Sequence, residues 1–367
     1  MAIDIVSFLL NMESAITTTE PEATSAAASV KSPRTLTEII TSQIVLLASY
    51  LNPVMESDDP EAIHKMRVTT RRLQASLDLL QTSGGRPKIR KLKKELRNWR
   101  RVLSQVRNYD VFLMVIEKEG ASRNSARRQS FEHLKSILEK RRARRLAKAR
   151  RYLKRIDLAQ ICLKLGLDAS PCAPKQIEAS EDQPPAQESQ AEKPPAPFAT
   201  PVPDLLGERA IALHAAERIE QRLSEFLSLA AQSQPTTNPA ELHQLRIAAK
   251  RLRYLLEIVS EMGYCDVARA LAWLRLLQDR IGDWHDLVAI EEEIIAIASR
   301  RKFLKENLAE SGRMLQAAAH LQSKKEALVA KLFPVKVPRT LAATSRRVVR
   351  ALRRKPAQAS PSDSTDN

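Results

Sequence analysis

The sequence predicts an all-α fold, and three features of the chain point to it. Apolar residues recur every three or four positions in almost every segment from Leu36 onward, which is the spacing of an amphipathic helix. The 367 residues include only 8 glycines, and no alternation of β-branched and polar residues marks a strand. A basic motif with helical spacing also occurs twice, about 180 residues apart, which indicates an internally repeated helical protein.

Four predicted helices occupy the first half of the chain, residues 34–165. The apolar residues Leu36, Ile39, Ile40, Ile44 and Leu47 predict an amphipathic first helix, which is expected to stop near Asn52-Pro53. Asp58-Asp59-Pro60 then has the composition of an N-cap and first turn for the second helix, which Gly84-Gly85 is expected to end. The other two helices of this half are expected from about Pro87 through Leu103 and from about Ser122 to Asp157.

The second half, residues 205–354, repeats this plan. A helix from about Leu205 to Leu229 leads through Thr236-Thr237-Asn238-Pro239 into a helix that contains His243 and ends near Gly263. Further helices are expected at Val267–Gln278, through Glu291–Ile297, and as a C-terminal pair from about Leu304 to Arg354. A chain of this length can support two compact units, each with its own core.

Three stretches lack the composition of a folded core. Residues 1–33 are rich in Ala, Ser, Thr and Glu and are predicted to be a disordered tail, as is the polar segment 355–367. Residues 166–204 contain nine prolines together with glutamate and glutamine, which predicts an extended acidic linker or insertion.

The repeated basic motif places its cations on one face of each helix. The first copy contains His64, Arg67, Arg71 and Arg72, and the second contains His243, Arg246, Lys250, Arg251, Arg253 and Tyr254. At about 100° per residue, the histidine and most of the cations of each copy share one stripe. Apolar residues lie opposite: Met66, Leu73, Leu77 and Leu80 in the first copy, and Leu245, Leu252, Leu256 and Val259 in the second. Each helix therefore has a core face and a cationic face.

A cationic helix face is most often an ordinary solvated surface. Two copies with the histidine in register favour a ligand-binding surface instead. Neighbouring cations are expected to lower the pKa of His64 and His243, and a bound phosphate is expected to raise it. Binding of a phosphate ligand should therefore tighten as the pH falls below about 7.

The charge of the chain indicates a polyanionic partner. The net charge is +17, and residues 1–33, 166–204 and 356–367 are each net acidic, so the rest of the chain is more basic than the total. Such a surface repels itself unless a polyanion neutralises it, which points to nucleic acid, an inorganic polyanion or an anionic membrane.

Cysteine usage and hydropathy indicate the compartment. Cys162, Cys172 and Cys265 form no C-x-x-C pair and have no regular spacing, which argues against disulfides and zinc and for a reducing cytoplasm. No stretch reaches about 18 apolar residues, so we expect a soluble cytoplasmic protein without membrane insertion.

A second pair of segments extends the repeat beyond the basic helices, because Leu103–Asn108 aligns with Ile281–Asp286. At these residues the chain resembles the CHAD family, the conserved-histidine α-helical domain. The family pattern is a His-x-x-Arg helix followed by Arg-Arg or Lys-Arg, and then a Leu-Gly-x-x-Arg-Asp-x-Asp-Val segment. For that segment the chain supplies Leu103, Arg107, Asp110 and Val111 in the first half, and Gly282 and Asp286 in the second. It departs from the pattern at Gln74, Ser104 and Asn108.

The resemblance implies two pseudo-twofold-related helical bundles, of about four helices each, around a basic central channel. It also implies binding of inorganic polyphosphate and association with polyphosphate granules. Some members of the family are fused to a triphosphatase with a Glu-x-Glu-x-Lys signature in a strand-rich barrel, and the chain shows neither. We therefore expect a binding protein that is not an enzyme and uses no cofactor or metal.

A polyphosphate site needs dense cations and no means of reading bases. Arginine forks can take two oxygens of one phosphate, while Lys250 acts as a compact point charge. The predicted site residues are His64, Arg67, Arg71, Arg72, Lys93, Arg97, Arg100, Arg101, His243, Arg246, Lys250, Arg251, Arg253, Tyr254 and Lys324. The run from Arg141 to Arg145 wraps too far around its helix for a single face, and both ligand contact and a solvated surface stay open for it.

Nucleic-acid binding by the same basic surface is the main alternative. Aromatic residues make up only 4% of the chain and do not alternate with the basic stripes, which leaves little for stacking unpaired bases. Trp99, Trp273 and Trp284 are expected in the core. Ser345–Lys355, with its arginines and valines, is a lesser candidate for a helix on a membrane surface.

A metal-dependent polyphosphate or triphosphate hydrolase is the other alternative, and it would need acids beside the scissile bond. Asp110 and Asp286 could form a divalent-metal site with the histidines. Caps of backbone amides or partners of arginines are the commoner roles for such aspartates. His285 beside Asp286 is weak evidence for a catalytic pair, because adjacent helix positions do not face one another.

Overall fold

The computed structural model describes residues 32–80, 87–120, 125–167, 207–233, 239–333 and 335–354. Within these ranges the chain forms eleven helices and no strand, so the all-α class is confirmed. The predicted tails, most of the 166–204 segment and the helix end expected at Gly84-Gly85 lie outside the described residues.

Five of these helices come from the first half of the chain and six from the second. Those of the first half are α1 (Leu36–Glu56), α2 (Pro60–Leu79), α3 (Pro87–Gly120), α4 (Ser125–Leu153) and α5 (Leu158–Leu165). Those of the second half are α6 (Glu208–Gln232), α7 (Pro239–Glu261), α8 (Ala268–Ala298), α9 (Arg301–Glu306), α10 (Leu308–Leu332) and α11 (Arg339–Arg353).

The start of α2 follows the sequence signal, whereas the end of α1 does not. Asp59 caps α2 as predicted, because its carboxylate accepts from the backbone N–H groups of Glu61 and Ala62. The prediction that α1 stops near Asn52-Pro53 is wrong, since the helix continues to Glu56. Pro53 removes one backbone donor, but the fully buried Val54 holds the last turn against the core.

Two more helix boundaries differ from the predictions. The helix expected to run to Asp157 ends at Leu153, and Asp157 instead caps the new helix α5 by accepting from the Gln160 N–H. Val267–Gln278 and Glu291–Ile297, predicted as separate helices, belong to the single helix α8. A glycine within a helix costs about 1 kcal/mol, but buried neighbours such as Ile281 keep this stretch of α8 packed around Gly282.

The internal repeat extends to the packing of the helices. In the first half α1 packs on α2, α2 on α3 and α3 on α4; in the second half α6 packs on α7, α7 on α8 and α8 on α10. The shorter α5 packs on α1 and α3, just as α11 packs on α6 and α8. Corresponding helices also meet across the halves, namely α2 with α7, α3 with α8 and α4 with α10.

The two halves do not bury separate cores, although the chain is long enough for that. One hydrophobic cluster takes residues from helices of both halves, including Leu73 of α2, Leu96 of α3 and Leu252 of α7. A second cluster lies where α3 and α4 meet α8 and α10, and contains Phe131 and Ile290. Side chains of both halves therefore exclude water together.

The predicted membrane-surface segment has no free apolar face. Leu341, Val348 and Leu352 of α11 are fully buried in the first cluster. Its arginines lie on the outer side, where Arg353 pairs with Glu220 of α6. Among the described residues, no helix is both long and apolar enough to cross a membrane.

Candidate functional site

The two basic helices, α2 and α7, lie against each other, and each has the two faces that the sequence predicts. The eight apolar residues expected on their core faces are all buried: Met66, Leu73, Leu77, Leu80, Leu245, Leu252, Leu256 and Val259. Trp99 and Trp284 are buried as expected, whereas Trp273 is only partly buried against the first cluster. The cations are consequently kept on the opposite faces.

A cavity of about 420 Å³ lies between α2, α3, α6 and α7. Seven predicted site residues line it: Arg71, Arg100, His243, Arg246, Lys250, Arg251 and Tyr254. They come from both halves of the chain, so the cavity exists only where the two repeats meet.

Two further arginines of the cavity wall, Arg218 and Arg222 of α6, were missed by the sequence analysis. Their i,i+4 spacing was the available signal, but acids are interspersed with them along α6, which is typical of a solvated helix face. Glu225 accepts from Arg222 at 2.6 Å and from Arg251 at 3.0 Å. This carboxylate therefore neutralises part of the α6 side of the cavity.

Four cations at the meeting point of α2 and α7 have no carboxylate in contact with them, and only Arg246 is favoured by a more distant one, Asp286. Arg67, Arg71, Arg246 and Lys250 make no ion pair or hydrogen bond with a carboxylate among the described residues. The Nε atoms of Arg67 and Arg246 are buried without a hydrogen-bond partner. We refer to these four residues as the uncompensated cluster.

Burial and mutual repulsion act on this cluster together. Burial first, then the charges of Arg71, Arg246 and Arg67, lower the pKa of Lys250 to about 6. Burial, followed by the charges of Arg71, Arg107 and Arg246, lowers the pKa of Arg67 to about 9. At neutral pH, Arg67 stays charged while Lys250 is largely a neutral amine, which shows how costly one more positive charge is here.

The two motif histidines lie beside this cluster, and their pKa values are lowered as expected. For His64 burial is the first cause and the charge of Arg107 the second. For His243 burial is again first, followed by His285 and Arg246. Desolvation was not part of the sequence-based expectation, which rested on neighbouring cations alone.

His285 of α8 stacks on His243 of α7, with ring centroids 5.5 Å apart and planes inclined by 29°. Its Nδ1 atom lies 3.6 Å from Asp286 Oδ1, nearer than adjacent helix positions led us to expect but too far for a hydrogen bond. Arg246 also reaches α8, because a Cβ atom added at Gly282 would lie 3.9 Å from its Nη2. The guanidinium of Arg246 thus rests on α8 near Gly282.

Arg72 and Arg253, also predicted site residues, surround a buried acid instead of lining the cavity. Glu257 is 7% exposed and lies 3.5 Å from Arg72, 3.6 Å from Arg253 and 3.4 Å from Arg275. The Arg253 guanidinium also lies over the Tyr254 ring, 4.9 Å from its centre. These arginines join α2, α7 and α8 behind the cavity wall.

The predicted cations of α3 differ in position. Arg100 lines the cavity and donates to the amide oxygen of Gln74 at 2.8 Å. Lys93 pairs with Asp78 at the cavity wall. Arg97 and Arg101 are exposed to solvent and do not line the cavity.

Lys324 does not share this cavity. It lines a second one, of about 510 Å³, between α3, α8 and α10, and its ammonium pairs with Glu119. Glu119 also lies 3.7 Å from His320. Arg107 and Asp286 line this second cavity as well. The charge of Arg107 lowers the pKa of His64 and of Arg67, although Arg107 does not line the first cavity.

The candidate metal ligand Asp110 is the partner of an arginine. It is buried and accepts from Arg142 Nε at 2.5 Å, while Arg142 also donates to the Asp58 carbonyl. The described part of the chain contains no group of three or more His, Cys, Asp or Glu side chains that could hold a metal ion. Asp110 therefore has the orienting role that such aspartates more commonly take.

Together, the fold and the cavity define a repeated helical protein with a cation-lined cavity between its two repeats. The chain belongs to the CHAD domain family, whose model matches residues 38–294. The crystal structure of the CHAD domain from the plant Ricinus communis is 21% identical, with a TM-score of 0.51, over 87% of this chain and 93% of that one. PptA from Streptomyces chartreusis is 16% identical, with a TM-score of 0.49, over 81% of this chain and 96% of that one. A search of curated proteins finds no match.

Proposed function

We propose that this protein binds inorganic polyphosphate through the cavity between α2, α3, α6 and α7, and that it does so without catalysis. The observation that carries the proposal is the uncompensated cluster. Half-buried cations without a carboxylate in contact destabilise the ligand-free protein, and a polyanion in the cavity reduces that cost.

Polyphosphate fits the chemistry of the cavity wall better than a nucleic acid does. Its repeating charge requires cations at close spacing, and Arg71, Arg100 and Arg246 supply two-pronged donors for phosphate oxygens. Tyr254 is the only Phe, Tyr or Trp of the described cavity wall, and the ring of His243 already stacks on His285, which gives unpaired bases little to stack on. The phosphodiester backbone of a nucleic acid is expected to bind more weakly and without sequence preference.

The acids of the cavity favour binding over hydrolysis. Asp78 is the only carboxylate among the described lining residues, and Lys93 is already its partner. A metal beside a scissile phosphoanhydride bond would need free carboxylates there. Incubation of the protein with long-chain polyphosphate and Mg²⁺ or Mn²⁺ should release no orthophosphate, and steady release would contradict the proposal.

The direct test is a binding isotherm for long-chain polyphosphate at several salt concentrations. We compare the wild type with a cavity variant, Arg71→Glu with Arg246→Glu, because both arginines line the cavity whereas Arg67 does not. The cavity variant should lose at least roughly a hundredfold in affinity, and its plot of log affinity against log salt should be flatter, because fewer counterions are released. A matched control is Lys302→Glu with Lys305→Glu on α9, which makes the same charge change at exposed positions outside the cavity.

Three outcomes would contradict the proposal. The cavity variant could bind polyphosphate like the wild type, or the control could lose as much affinity as the cavity variant. DNA could also displace polyphosphate at a lower phosphate concentration than polyphosphate needs to displace DNA. If the proposal holds, we expect the protein to associate with polyphosphate granules, and the cavity variant to lose that association.

A further inference from the structure

The basic run of α4 is divided by the fold into an inward and an outward set. Between residues 140 and 155 the chain has ten cations and no acid. Three of them face inward, with side chains 17%, 12% and 26% exposed, and each holds a carboxylate: Arg141 holds Glu293, Arg142 holds Asp110 and Arg150 holds Asp58. These contacts join α4 to α3, to α8 and to the turn before α2.

The other seven cations are exposed: Lys140, Arg144, Arg145, Lys148, Arg151, Lys154 and Arg155. None of the seven pairs with a carboxylate among the described residues, and Arg145 donates to the amide of Gln105. At about 100° per residue, four of them fall within about 80° of one another on α4. We call these four residues, Lys140, Arg144, Lys148 and Arg151, the α4 ridge.

The α4 ridge is a surface separate from both cavities. It runs for about 16 Å along the helix, on the side opposite the buried residues Leu146, Ala149 and Leu153. The residues that line the two cavities described above come from other helices, and α4 packs against α1, α3 and α10. A polymer bound in either cavity would therefore leave the α4 ridge free.

Like charges four residues apart destabilise a helix by roughly 0.2–0.5 kcal/mol per pair. Lys140 with Arg144 and Arg144 with Lys148 are such pairs. On an ordinary solvated face, acids at these spacings offset the repulsion, as Glu132 does for Arg128 earlier in α4. The α4 ridge lacks them, so a polyanion lying along it would relieve the repulsion.

We propose that the α4 ridge is a second binding surface for a linear phosphate polymer, so that one protein molecule bridges two segments of polyphosphate. One segment occupies the cavity and the other lies along the α4 ridge, and the proposal rests on the proposed function of the cavity. The α4 ridge carries no aromatic side chain, since Tyr152 lies to one side of it. Its cations can therefore contact the phosphate groups of a polymer, but nothing on the ridge can stack on a base. A flexible polymer without bases can follow such a ridge.

Bridging would make the protein a cross-linker. When one site has bound a polyphosphate chain, the other site meets the rest of that chain at a high effective concentration. When the polymer is long, the second site can also bind a different chain and so join the two chains. Short polyphosphate would occupy the sites independently. Long polyphosphate and protein would assemble into large complexes.

The experiment compares four proteins: the wild type, the cavity variant, the control variant, and a ridge variant with Lys148→Glu and Arg151→Glu. The ridge substitutions lie at exposed positions and bring acids next to Arg144 and Arg155, so the helix is expected to fold, which circular dichroism checks. The readouts are the affinity for a short polyphosphate and light scattering with a long one. The ridge variant should keep its short-chain affinity within about threefold and scatter at least roughly tenfold less than the wild type and the control.

Each other outcome decides between the two sites. Scattering of the ridge variant at the wild-type level would overturn the second surface while leaving the cavity proposal intact. Loss of short-chain affinity in the ridge variant, with full affinity in the cavity variant, would overturn the cavity proposal instead. The assignment of the α4 ridge to polyphosphate would be overturned if duplex DNA displaced polyphosphate from the cavity variant at a lower phosphate concentration than polyphosphate needs to displace DNA.

Discussion

The cations around the cavity fall into two groups that have different physical roles. Arg222 and Arg251 share Glu225, and Arg72 and Arg253 surround Glu257, so these arginines stabilise the walls. The uncompensated cluster of Arg67, Arg71, Arg246 and Lys250 has no carboxylate partner among the described residues and makes the ligand-free protein less stable. Binding capacity and stability therefore oppose each other at these four positions.

Lys250→Met should raise stability and weaken binding at the same time. Methionine keeps most of the volume of the side chain and removes an amine that must lose its proton when the protein folds at neutral pH, so the free energy of unfolding should rise by about 1–4 kcal/mol. Affinity for polyphosphate should fall, because the bound lysine contributes an ammonium. Thermal unfolding without ligand and a binding isotherm measure the two effects. Lys302→Met on α9 is the exposed control and should change neither.

Lys250→Met would argue against this view if it lowered stability. That result would mean that the ammonium of Lys250 has a favourable partner in the ligand-free protein. Unchanged affinity together with higher stability would remove Lys250 from the ligand contacts while leaving its burial cost in place.

Polyphosphate affinity should fall as the pH rises from about 6 to 8. The ligand-free protein has a lowered pKa at Lys250, about 6, and at His64 and His243, whereas bound phosphate favours their protonated forms. Binding then takes up protons, and each proton taken up changes the affinity by up to roughly tenfold per pH unit. Isotherms at several pH values test this, and a flat profile would remove all three groups from the ligand contacts.

Stability without ligand should have the opposite dependence on pH. The unfolded chain binds a proton at Lys250 up to a pKa near 10.5, while the folded chain releases it near 6, so the contribution of this group rises with pH between those values. Urea unfolding at pH 6 and pH 9 measures it. In Lys250→Met the difference between the two pH values should shrink, and an unchanged difference would assign it to other groups.

The helical period and the duplication predict the two cationic stripes, but they do not predict which cations are free. Arg67 and Arg72 share one stripe, and only the fold puts Glu257 of α7 beside Arg72. Arg218 and Arg222 were missed because the acids on α6 resemble those of any solvated helix. A single sequence read without tertiary contacts contains no signal for a partner 185 residues away.

Individual helices are stabilised by ion pairs that one helix alone cannot show. Arg142 of α4 reaches Asp110 of α3, and Arg150 of α4 donates to the backbone carbonyls of Val54 and Ser57 at the end of α1. The second contact satisfies carbonyl groups after Pro53, which explains why α1 passes the proline where the sequence predicts a stop. Likewise, the packing of α8 outweighs the glycine at its centre.

Asp110→Ala should destabilise the protein by about 3–5 kcal/mol, because it leaves Arg142 buried without its carboxylate. Adding Arg142→Met should recover part of that loss, since no buried charge is then left unpaired. Glu132→Ala is the control on α4, because its pair with Arg128 is exposed, and it should cost less than about 0.5 kcal/mol. Urea unfolding measures all three variants.

The double variant separates the two roles considered for Asp110. If Asp110 only orients Arg142, the double variant should be more stable than Asp110→Ala and bind polyphosphate like the wild type. If the aspartate held a metal, Arg142→Met would not restore stability, and a chelator would destabilise the wild-type protein.

At the scale of the whole molecule, the two repeats depend on each other for both stability and the cavity. Each repeat supplies helices to both hydrophobic clusters, so neither buries its apolar residues alone. The cavity also needs both, since Arg71 and Arg100 come from the first half and Arg246 and Lys250 from the second. The duplication is evident in the sequence, but the shared core is not, because helical periodicity shows which face is buried and not what covers it.

Cleavage of the connection between the repeats should therefore leave them associated. With a protease site placed between residues 168 and 206, the cut protein should elute as one complex and unfold in a single transition, because the first cluster spans both pieces. The cut complex should still bind polyphosphate, whereas the first piece alone should have low helix content and little affinity. Size-exclusion chromatography, circular dichroism and a binding isotherm measure these properties, and uncut protein carrying the same site is the control. Two pieces that elute separately and unfold cooperatively on their own would show that each repeat has a sufficient core.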